Sequence, residues 1–220
     1  MKNVLKKSVV AVAIMVTSFN FAQTTKTTTK PEIKDTRENF KIGLKGGANL
    51  SNIYDEQDQN YAAEKKYGFF AGAFLSIPLS KYFGIQPEVV YSQKGFKANG
   101  NVLGVGYQFT RTSNYLDIPL LIQVKPTECI TLVGGPQFSY LLETKNEFNG
   151  STNTIQEDGI NSQNYKKNIF GIAVGIDFNI DNFIITTRGG WDVTKSDSNG
   201  NTTNPRYKNQ VLQLGIGYTF

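Results

Sequence analysis

From residue 41 onwards, apolar side chains recur at every second position in a series of separate segments. A period of two is the period of the β-strand, in which successive side chains point to opposite faces of a sheet. The last segment shows it most simply, because one parity is wholly apolar and holds Leu212, Leu214, Ile216, Tyr218 and Phe220. The other parity is mostly small or polar, so we predict a strand with one apolar, aromatic-ended face.

Eight segments of this kind follow one another along the chain. The predicted strands cover roughly residues 41–51, 67–79, 83–95, 104–125, 130–144, 167–180, 183–194 and 210–220. Two irregularities stand out. Phe70 and Phe74 fall on the otherwise small face of the second strand, which predicts either interior packing or a bulge that shifts the register. Pro87 lacks a ladder donor, which predicts a bulge or a locally broken pair in the third strand.

The connections between these strands alternate between long and short. In an up-and-down meander, this alternation places all short turns and both termini at one end and all long loops at the other. Aromatic residues gather near both ends of the strands, as interfacial girdles do. Even strand number, short periplasmic turns and long outer loops are the plan of a bacterial outer-membrane barrel. The sequence therefore predicts an all-β fold, namely an eight-stranded antiparallel up-and-down transmembrane β-barrel.

A soluble lipocalin-like barrel that binds a ligand is the alternative fold. It would turn the apolar face inwards and the polar face to water. The apolar face of this chain is bulky and would overfill a small lumen, whereas the polar face is rich in glycine, so the transmembrane arrangement is favoured.

The first forty residues differ from the rest of the chain. Lys2, Lys6 and Lys7 precede a short apolar core, and Ala22 offers a cleavage site, which together predict a cleaved signal peptide at 1–22. Residues 23–40 are of low complexity and nearly without apolar side chains, so we predict a flexible periplasmic tail. Residues 41–220 form the predicted barrel domain.

Composition excludes several classes of function. The chain contains no histidine, which removes Ser-His-Asp and Cys-His catalysis together with His-ligated zinc or haem. The formal net charge of +5 comes mostly from the first forty residues, so no basic patch for nucleic acid is expected. Cys129 is the single cysteine and is interpreted as incidental. The oxygen-rich segments 55–60 and 197–201 are interpreted as solvated loops, and no metal or cofactor is predicted.

Several segments resemble the PorT-like family of outer-membrane β-barrels. They are 41–51 (KIGLKGGANLS), 86–95 (QPEVVYSQKG), 115–122 (YLDIPLLI) and 134–136 (GGP). The resemblance covers nearly all of 41–220 and implies a small eight-stranded barrel in the outer membrane. The founding member is tied to protein secretion, a function that we do not transfer. The C-terminus also resembles the signal read by barrel-assembly machinery, which would assign that role to Gln213, Gly215, Tyr218 and Phe220.

Charged residues on the predicted inner face should pair with one another, because an eight-stranded barrel is filled by its side chains and unpaired buried charges are costly. We predict a structural charge network in which acidic groups face basic ones: Glu88, Asp117 and Asp177 opposite Lys45, Lys125 and Arg188. A paired-carboxylate active site is the alternative, but the sequence offers no nucleophile to support it.

The expected function is accordingly non-enzymatic. One hypothesis is a structural or interaction module of the cell envelope with a polar, side-chain-filled lumen. The other is an accessory component of a secretion or uptake machine. Expected partners are outer-membrane lipid, the barrel-assembly machinery during biogenesis and envelope proteins; nucleic acid is not one of them, and we expect a monomer.

Overall fold

The computed structural model describes residues 36–57, 62–102, 105–149, 154–158, 168–194 and 206–220. Apart from a short 3-10 helix at Thr36–Glu38, the described elements are β-strands. Their bounds are β1 Lys41–Gln57, β2 Ala62–Pro78, β3 Phe83–Val102, β4 Val105–Val124, β5 Ile130–Asn149, β6 Thr154–Asp158, β7 Asn168–Ile180, β8 Phe183–Asp192 and β9 Arg206–Thr219. No helix among the described residues is long and apolar enough to cross a membrane.

The strands close into an antiparallel barrel. Eight of them follow the order β1–β2–β3–β4–β5–β7–β8–β9, and β9 returns to pair with β1 from Gly43–Thr219 to Gln57–Arg206. Closure removes the free edges that an open sheet would expose. The predicted eight-stranded up-and-down topology is confirmed. The ninth strand, β6, lies in the predicted loop 145–166 and pairs only with the far end of β5.

Most strands also run further into the predicted loops than the alternation indicated. β1 continues to Gln57 and β2 begins at Ala62, although Ser51 to Lys66 carries few apolar residues. β3, β4 and β5 each reach 20 residues. In these stretches the hydrogen bonds between strands continue beyond the last lipid-facing apolar residues. The apolar alternation in the sequence therefore could not reveal the full length of the strands.

The side chains face as the period of two predicts. Along β9, Leu214 and Ile216 are 61% and 70% exposed, whereas the flanking Gln213 and Gly217 face the interior. The same alternation of outer and inner residues holds along β7 and β8, and every second residue of β7 from Phe170 to Ile180 is exposed and apolar. The barrel thus has an apolar outer face and a polar inner face, which is opposite to the lipocalin-like alternative.

Phe70 and Phe74 are two large apolar residues on the inner face. They are 2% and 4% exposed, and glycines on β1 and β9 leave space for their rings. A Cβ atom on Gly43 would lie 2.3 Å from Phe74 Cζ, and one on Gly215 would lie 2.6 Å from Phe70 Cζ. Interior packing, the first of the two explanations, therefore accounts for both phenylalanines.

The register decides between the two alternatives for Pro87 and corrects the face assigned to one residue of β5. Pro87 pairs with Leu120 on β4, and the register continues unshifted to Val90 opposite Asp117, so no bulge lies there. The described pairing with β2 is interrupted at Pro87, between Phe74–Glu88 and Ile77–Ile85, so the locally broken pair is the alternative that the structure shows. The bulge in this part of the sheet is between Lys65 and Phe70 on β2. A further shift lies on β5 between Leu141 and Glu143, opposite Tyr115 and Asn114 of β4, where one extra residue reverses the parity of β5. Glu143, which an unbroken period of two along β5 would place in the lumen, is consequently exposed on the outside.

Candidate functional site

The lumen of the barrel is filled by polar and charged side chains, which we call the lumen network. The layer nearer the short turns, which we call the lower layer, centres on Glu88, whose side chain is 2% exposed. Lys45 Nζ lies 2.6 Å from Glu88 Oε2, and Gln86 donates a hydrogen bond of 2.7 Å to Oε1. Arg188 Nη2 lies 3.7 Å from the same Oε1. Glu88 is therefore the hub that joins two cations from different strands.

Asp177 completes this layer by binding the other side of Arg188. Arg188 donates from Nη1 to Oδ1 at 2.7 Å and from Nη2 to Oδ2 at 2.8 Å, which is the bidentate geometry of a strong charge-assisted pair. Gly175 makes room for the guanidinium, because a Cβ atom there would lie 2.6 Å from Arg188 Cδ. Four of the predicted network residues thus meet in one layer: Lys45, Glu88, Asp177 and Arg188.

The upper layer involves a residue that the predicted pairing omitted. Asp117 binds Lys94, whose Nζ lies 3.0 Å from Oδ1 and 4.9 Å from the centre of the Tyr115 ring. Asp192 accepts a hydrogen bond of 2.6 Å from Asn209 Nδ2. Lys94 shares the strand and the parity of Glu88, so the sequence contained the signal that both face the lumen. It did not contain the stagger that decides which acid faces which base.

Lys125, the remaining member of the predicted network, lies at the short-turn end of the lumen. Its Nζ donates to Arg37 O at 3.0 Å and to Ser76 Oγ at 3.4 Å, and none of the described ion pairs includes it. Burial, together with the nearby charge of Lys41, lowers the pKa of Lys125. The predicted pairing of Lys125 with one of the acidic network residues is therefore not observed. Lys125 follows β4 at the mouth of the lumen, whereas Glu88, Asp117 and Asp177 lie deeper.

Residues at the end of the predicted tail cover this mouth. We call residues 36–40 the N-terminal strap. Besides accepting from Lys125, Arg37 donates from Nη1 to Pro126 O at 3.4 Å, and its guanidinium lies 5.2 Å from the centre of the Tyr82 ring. This part of the predicted flexible tail is therefore held against the barrel. Residues 1–35, including the predicted signal peptide, lie outside the described residues.

The four residues of the C-terminal signal have separate places in the folded barrel. Gln213 is buried and donates to Asn49 Oδ1 at 3.0 Å. Gly215 lets β9 approach β1, since a Cβ atom there would lie 2.4 Å from Gly46 O. Tyr218 and Phe220 lie outside, with ring centres 5.3 Å apart, and Phe220 donates its backbone N–H to Ile42 O. These contacts explain the motif structurally, and its role as an assembly signal stays a prediction.

Other candidate positions carry no site in the described structure. Cys129 is exposed in the turn between β4 and β5. No group of three or more acidic or cysteine side chains among the described residues is arranged to hold a metal ion. Of the oxygen-rich segments, 58–60 and 197–201 lie outside the described residues.

The outward face is suited to contact with the hydrocarbon core of a bilayer. Exposed apolar residues cover the barrel between two aromatic girdles, and Phe183 and Trp191 mark the two girdles on β8. These residues are eight positions apart, which at about 3.3 Å per residue and a tilt of about 40° spans roughly 20 Å. Because the sheet is closed, each strand in that band has a hydrogen-bonded neighbour on both sides, as a bilayer requires. This architecture defines a β-barrel that spans a membrane.

The chain belongs to the family whose model is described as "Outer membrane protein beta-barrel domain", which matches residues 21–198. It is a β-barrel protein of the outer membrane. The match is to this broad family, so the narrower resemblance to PorT-like barrels stays a prediction. No protein among the curated sequences is significantly similar to the chain.

Solved structures of outer-membrane barrels are similar in fold. The crystal structure of Ail, the attachment invasion locus protein of Yersinia pestis, matches with a TM-score of 0.50 and 15% identity, over 82% of this chain and 98% of that one. The crystal structure of the outer membrane protein OprG from Pseudomonas aeruginosa matches with a TM-score of 0.44 and 14% identity, over 82% and 95% of the two chains. At such low identity, the similarity to Ail establishes the fold alone.

Proposed function

We propose that this barrel is a non-enzymatic interaction module of the cell envelope, and that it works through its loop end and not through its lumen. The observation that carries the proposal is an outer extension of the sheet, which we define by residues 51–57, 62–66, 92–102, 105–114, 142–149 and 154–158. A strand needs about 9–11 residues to cross a bilayer. β3, β4 and β5 have 20 each, whereas β8 has 10, so one side of the wall rises well beyond the lipid-facing belt.

The outer extension has a packed core of its own. Ile53, Phe96 and Ala98 are 4%, 0% and 1% exposed, and Phe109 packs against them. Arg111 lies 5.5 Å from the centre of the Phe109 ring and is joined to β5 through a hydrogen bond to Asn146. About ten extra residues per strand would raise this wall by roughly 25 Å. A paired, packed wall of that height is a rigid platform, which suits recognition of another molecule.

The outer face of the extension carries charges of both signs. Glu64 and Lys97 are cross-strand partners on β2 and β3, and Lys145 lies 3.2 Å from Glu147 on β5. Exposed pairs of this kind add little stability. Their mixture favours a protein partner over a uniformly charged polymer, since polymer binding would call for a surface of one sign.

The lumen supports the non-enzymatic part of the proposal. Glu88, Asp117 and Asp177 each form an ion pair with a lysine or arginine, so none of these carboxylates is poised as a free general base. The chain also has no histidine to act as one. A lumen filled by paired side chains leaves no continuous aqueous path of the kind that wider barrels have.

Cross-linking in intact cells tests the proposal. One variant replaces residues 98–109 with Asn-Gly, which joins the cross-strand partners Lys97 and Thr110 by a tight turn and removes the upper half of the β3–β4 hairpin. The matched variant deletes residues 24–35. Both must show the heat-modifiable gel shift of a folded barrel. We expect partners to be lost from the first variant and kept by the second.

The accessory component of a secretion or uptake machine is the second candidate. It is favoured by an open groove of about 950 Å³, a volume that includes open solvent, at the short-turn end beside Phe40, Glu128 and Asp181. Such a component would bind its machine through this periplasmic side. The opposite outcome of the same experiment, with partners kept by the hairpin variant and lost on deleting 24–35, would support this candidate and contradict the first.

A further inference from the structure

A groove crosses the outer wall at the level of the loop-side aromatic girdle. It spans β2, β1, β9 and β8, and its volume is about 640 Å³ including open solvent. Its lining residues are Leu50, Asn52, Lys65, Gly189, Trp191, Gln210, Val211 and Leu212. We call it the wall groove. It is separate from the lumen network and opens on the outside of the barrel.

The register arranges these residues in two rows, one above the other. Leu50 on β1 pairs with Leu212 on β9, which pairs with Gly189 on β8. Two residues further out, Asn52 pairs with Gln210, which pairs with Trp191. An apolar row therefore lies about 5 Å below a polar row, measured along the membrane normal. A membrane surface changes from acyl chains to headgroups over a distance of this order.

The glycine in the lower row opens the groove. A Cβ atom on Gly189 would lie 2.7 Å from the Trp191 ring, so the ring lies against the space that a side chain would fill. Trp191 is 38% exposed and Leu212 is 52% exposed. Together with Leu50 they offer an apolar trough beside an indole, which is the amphipathic side chain that favours the interface of a bilayer.

The upper row offers polar chemistry that the protein itself does not satisfy. Among the described residues, the buried amide oxygen Asn52 Oδ1 has no hydrogen-bond partner. An amide torsion of this kind is soft, so a rotation can present either the oxygen or the nitrogen to the groove. Lys65, the charged residue among those that line the groove, is exposed beside it.

We propose that the wall groove binds one anionic membrane lipid whose headgroup contains a phosphate and a hydroxyl donor. Lys65 pairs with the phosphate, the Asn52 amide exchanges hydrogen bonds with the headgroup, and an acyl chain lies along Leu50 and Leu212 beneath Trp191. Charge complementarity and the unsatisfied amide select this occupant, because a zwitterionic lipid brings its own cation to the site of Lys65.

The chain supplies its own probe, since Trp191 is its single tryptophan. The full-length protein is reconstituted in phosphatidylcholine vesicles that contain a minor fraction of either brominated phosphatidylglycerol or brominated phosphatidylcholine. Bromine on the acyl chain quenches indole fluorescence on contact. We expect stronger quenching by the phosphatidylglycerol at equal mole fraction. Equal quenching by the two lipids would overturn the proposal.

Matched variants distinguish binding in the wall groove from a general attraction of anionic lipid to the positive charges of the protein. Lys65→Gln should lower the preference for phosphatidylglycerol about fivefold, equivalent to ~1 kcal/mol for one lysine at a membrane surface. Asn52→Leu should lower it about threefold. Lys97→Gln, an exposed lysine of the outer extension that does not line the groove, should leave it unchanged. An equal effect of Lys97→Gln would contradict the site.

A competition arm distinguishes a lipid from a soluble anion. Soluble glycerol phosphate carries the same phosphate and hydroxyl groups but has no acyl chain. We expect it not to relieve the quenching by brominated phosphatidylglycerol, because the trough contributes to binding only with a chain in it. Relief at moderate concentration would show a free anion as the ligand and would overturn the proposed lipid. Each variant is first checked for the heat-modifiable shift, so that misfolding is recognised separately.

Discussion

Removing the carboxylate of Glu88 should destabilise the barrel more than the removal of an outward-facing carboxylate. In the lower layer, Glu88 accepts from Lys45 at 2.6 Å and from Gln86 at 2.7 Å, with Arg188 at 3.7 Å. Glu88→Met keeps most of the side-chain volume and abolishes all three contacts. Arg188 retains its bidentate pair with Asp177. Lys45 loses its ion pair and keeps two weaker neighbours, the Phe74 ring, whose centre is 6.0 Å away, and the more distant charge of Asp177.

The magnitude follows from the fate of Lys45. Its side chain is 3% exposed, so the variant leaves an ammonium group buried without its counter-charge. Breaking a buried pair from one side costs about 3–5 kcal/mol. Replacing both partners by apolar residues of similar volume is often neutral. We therefore expect Lys45→Met combined with Glu88→Met to recover most of the loss.

Urea unfolding in lipid vesicles measures these differences, with Trp191 fluorescence and gel mobility as two readouts. Glu143→Met is the matched control, because Glu143 is exposed and accepts a hydrogen bond from the Asn114 amide at 3.1 Å. Its cost should stay below ~1 kcal/mol, as for exposed charges. Equal costs for Glu88→Met and Glu143→Met would refute the buried network, and so would a double variant no more stable than Glu88→Met.

Three further predictions concern packing, insertion and the mouth of the lumen. Gly43→Ala should lower the yield of folded barrel, since its Cβ would meet the Phe74 ring at 2.3 Å, and Phe74→Leu should restore part of it on unboiled gels. Deleting Phe220 should reduce insertion into membranes, because an interfacial aromatic is lost, as measured by recovery in the outer-membrane fraction. Lys125→Met should speed limited proteolysis of the N-terminal strap, since Lys125 donates to Arg37 O.

Each of these predictions has a matched control. Gly134→Ala should be tolerated, because its Cβ would lie at an ordinary 3.5 Å from Val174. Phe220→Leu should insert better than the deletion, since it keeps an apolar terminus. Lys97→Met, at the opposite end of the barrel on β3, should leave proteolysis of the strap unchanged. Normal folded yield for Gly43→Ala, normal insertion without Phe220, or equal proteolysis of the two lysine variants would contradict the respective argument.

The sequence predicts the faces of the barrel because lipid and lumen impose opposite demands on alternate residues. Along β9, the parity of Leu214 and Gln213 is enough to assign them to the outside and the inside, and the strand order follows from the alternation of connection lengths. Apolar patterning is a strong signal where hydrocarbon contacts every second side chain. The same reasoning places Lys45, Glu88, Asp177 and Arg188 on one inner surface.

The remaining features depend on geometry that no local pattern records. The pairing of Lys94 with Asp117, in place of Lys125, follows from the stagger between β3 and β4. The outward position of Glu143 follows from a bulge that inserts one residue into β5. The outer extension could not be predicted from the period-two pattern. Its buried residues, such as Phe96, face one another across the lumen, and the alternate residues on the outside contact water and are not apolar.

A spin-label scan along β9 tests most directly the claim that the apolar face meets lipid and the polar face fills the lumen. Single cysteines are placed in turn at residues 211 to 216 in a Cys129→Ser background, and the labelled protein is reconstituted in vesicles. We predict that labels at Leu212, Leu214 and Ile216 are relaxed by lipid-soluble oxygen, whereas those at Val211 and Gln213 are shielded from it. The reverse alternation, or none, would contradict the account.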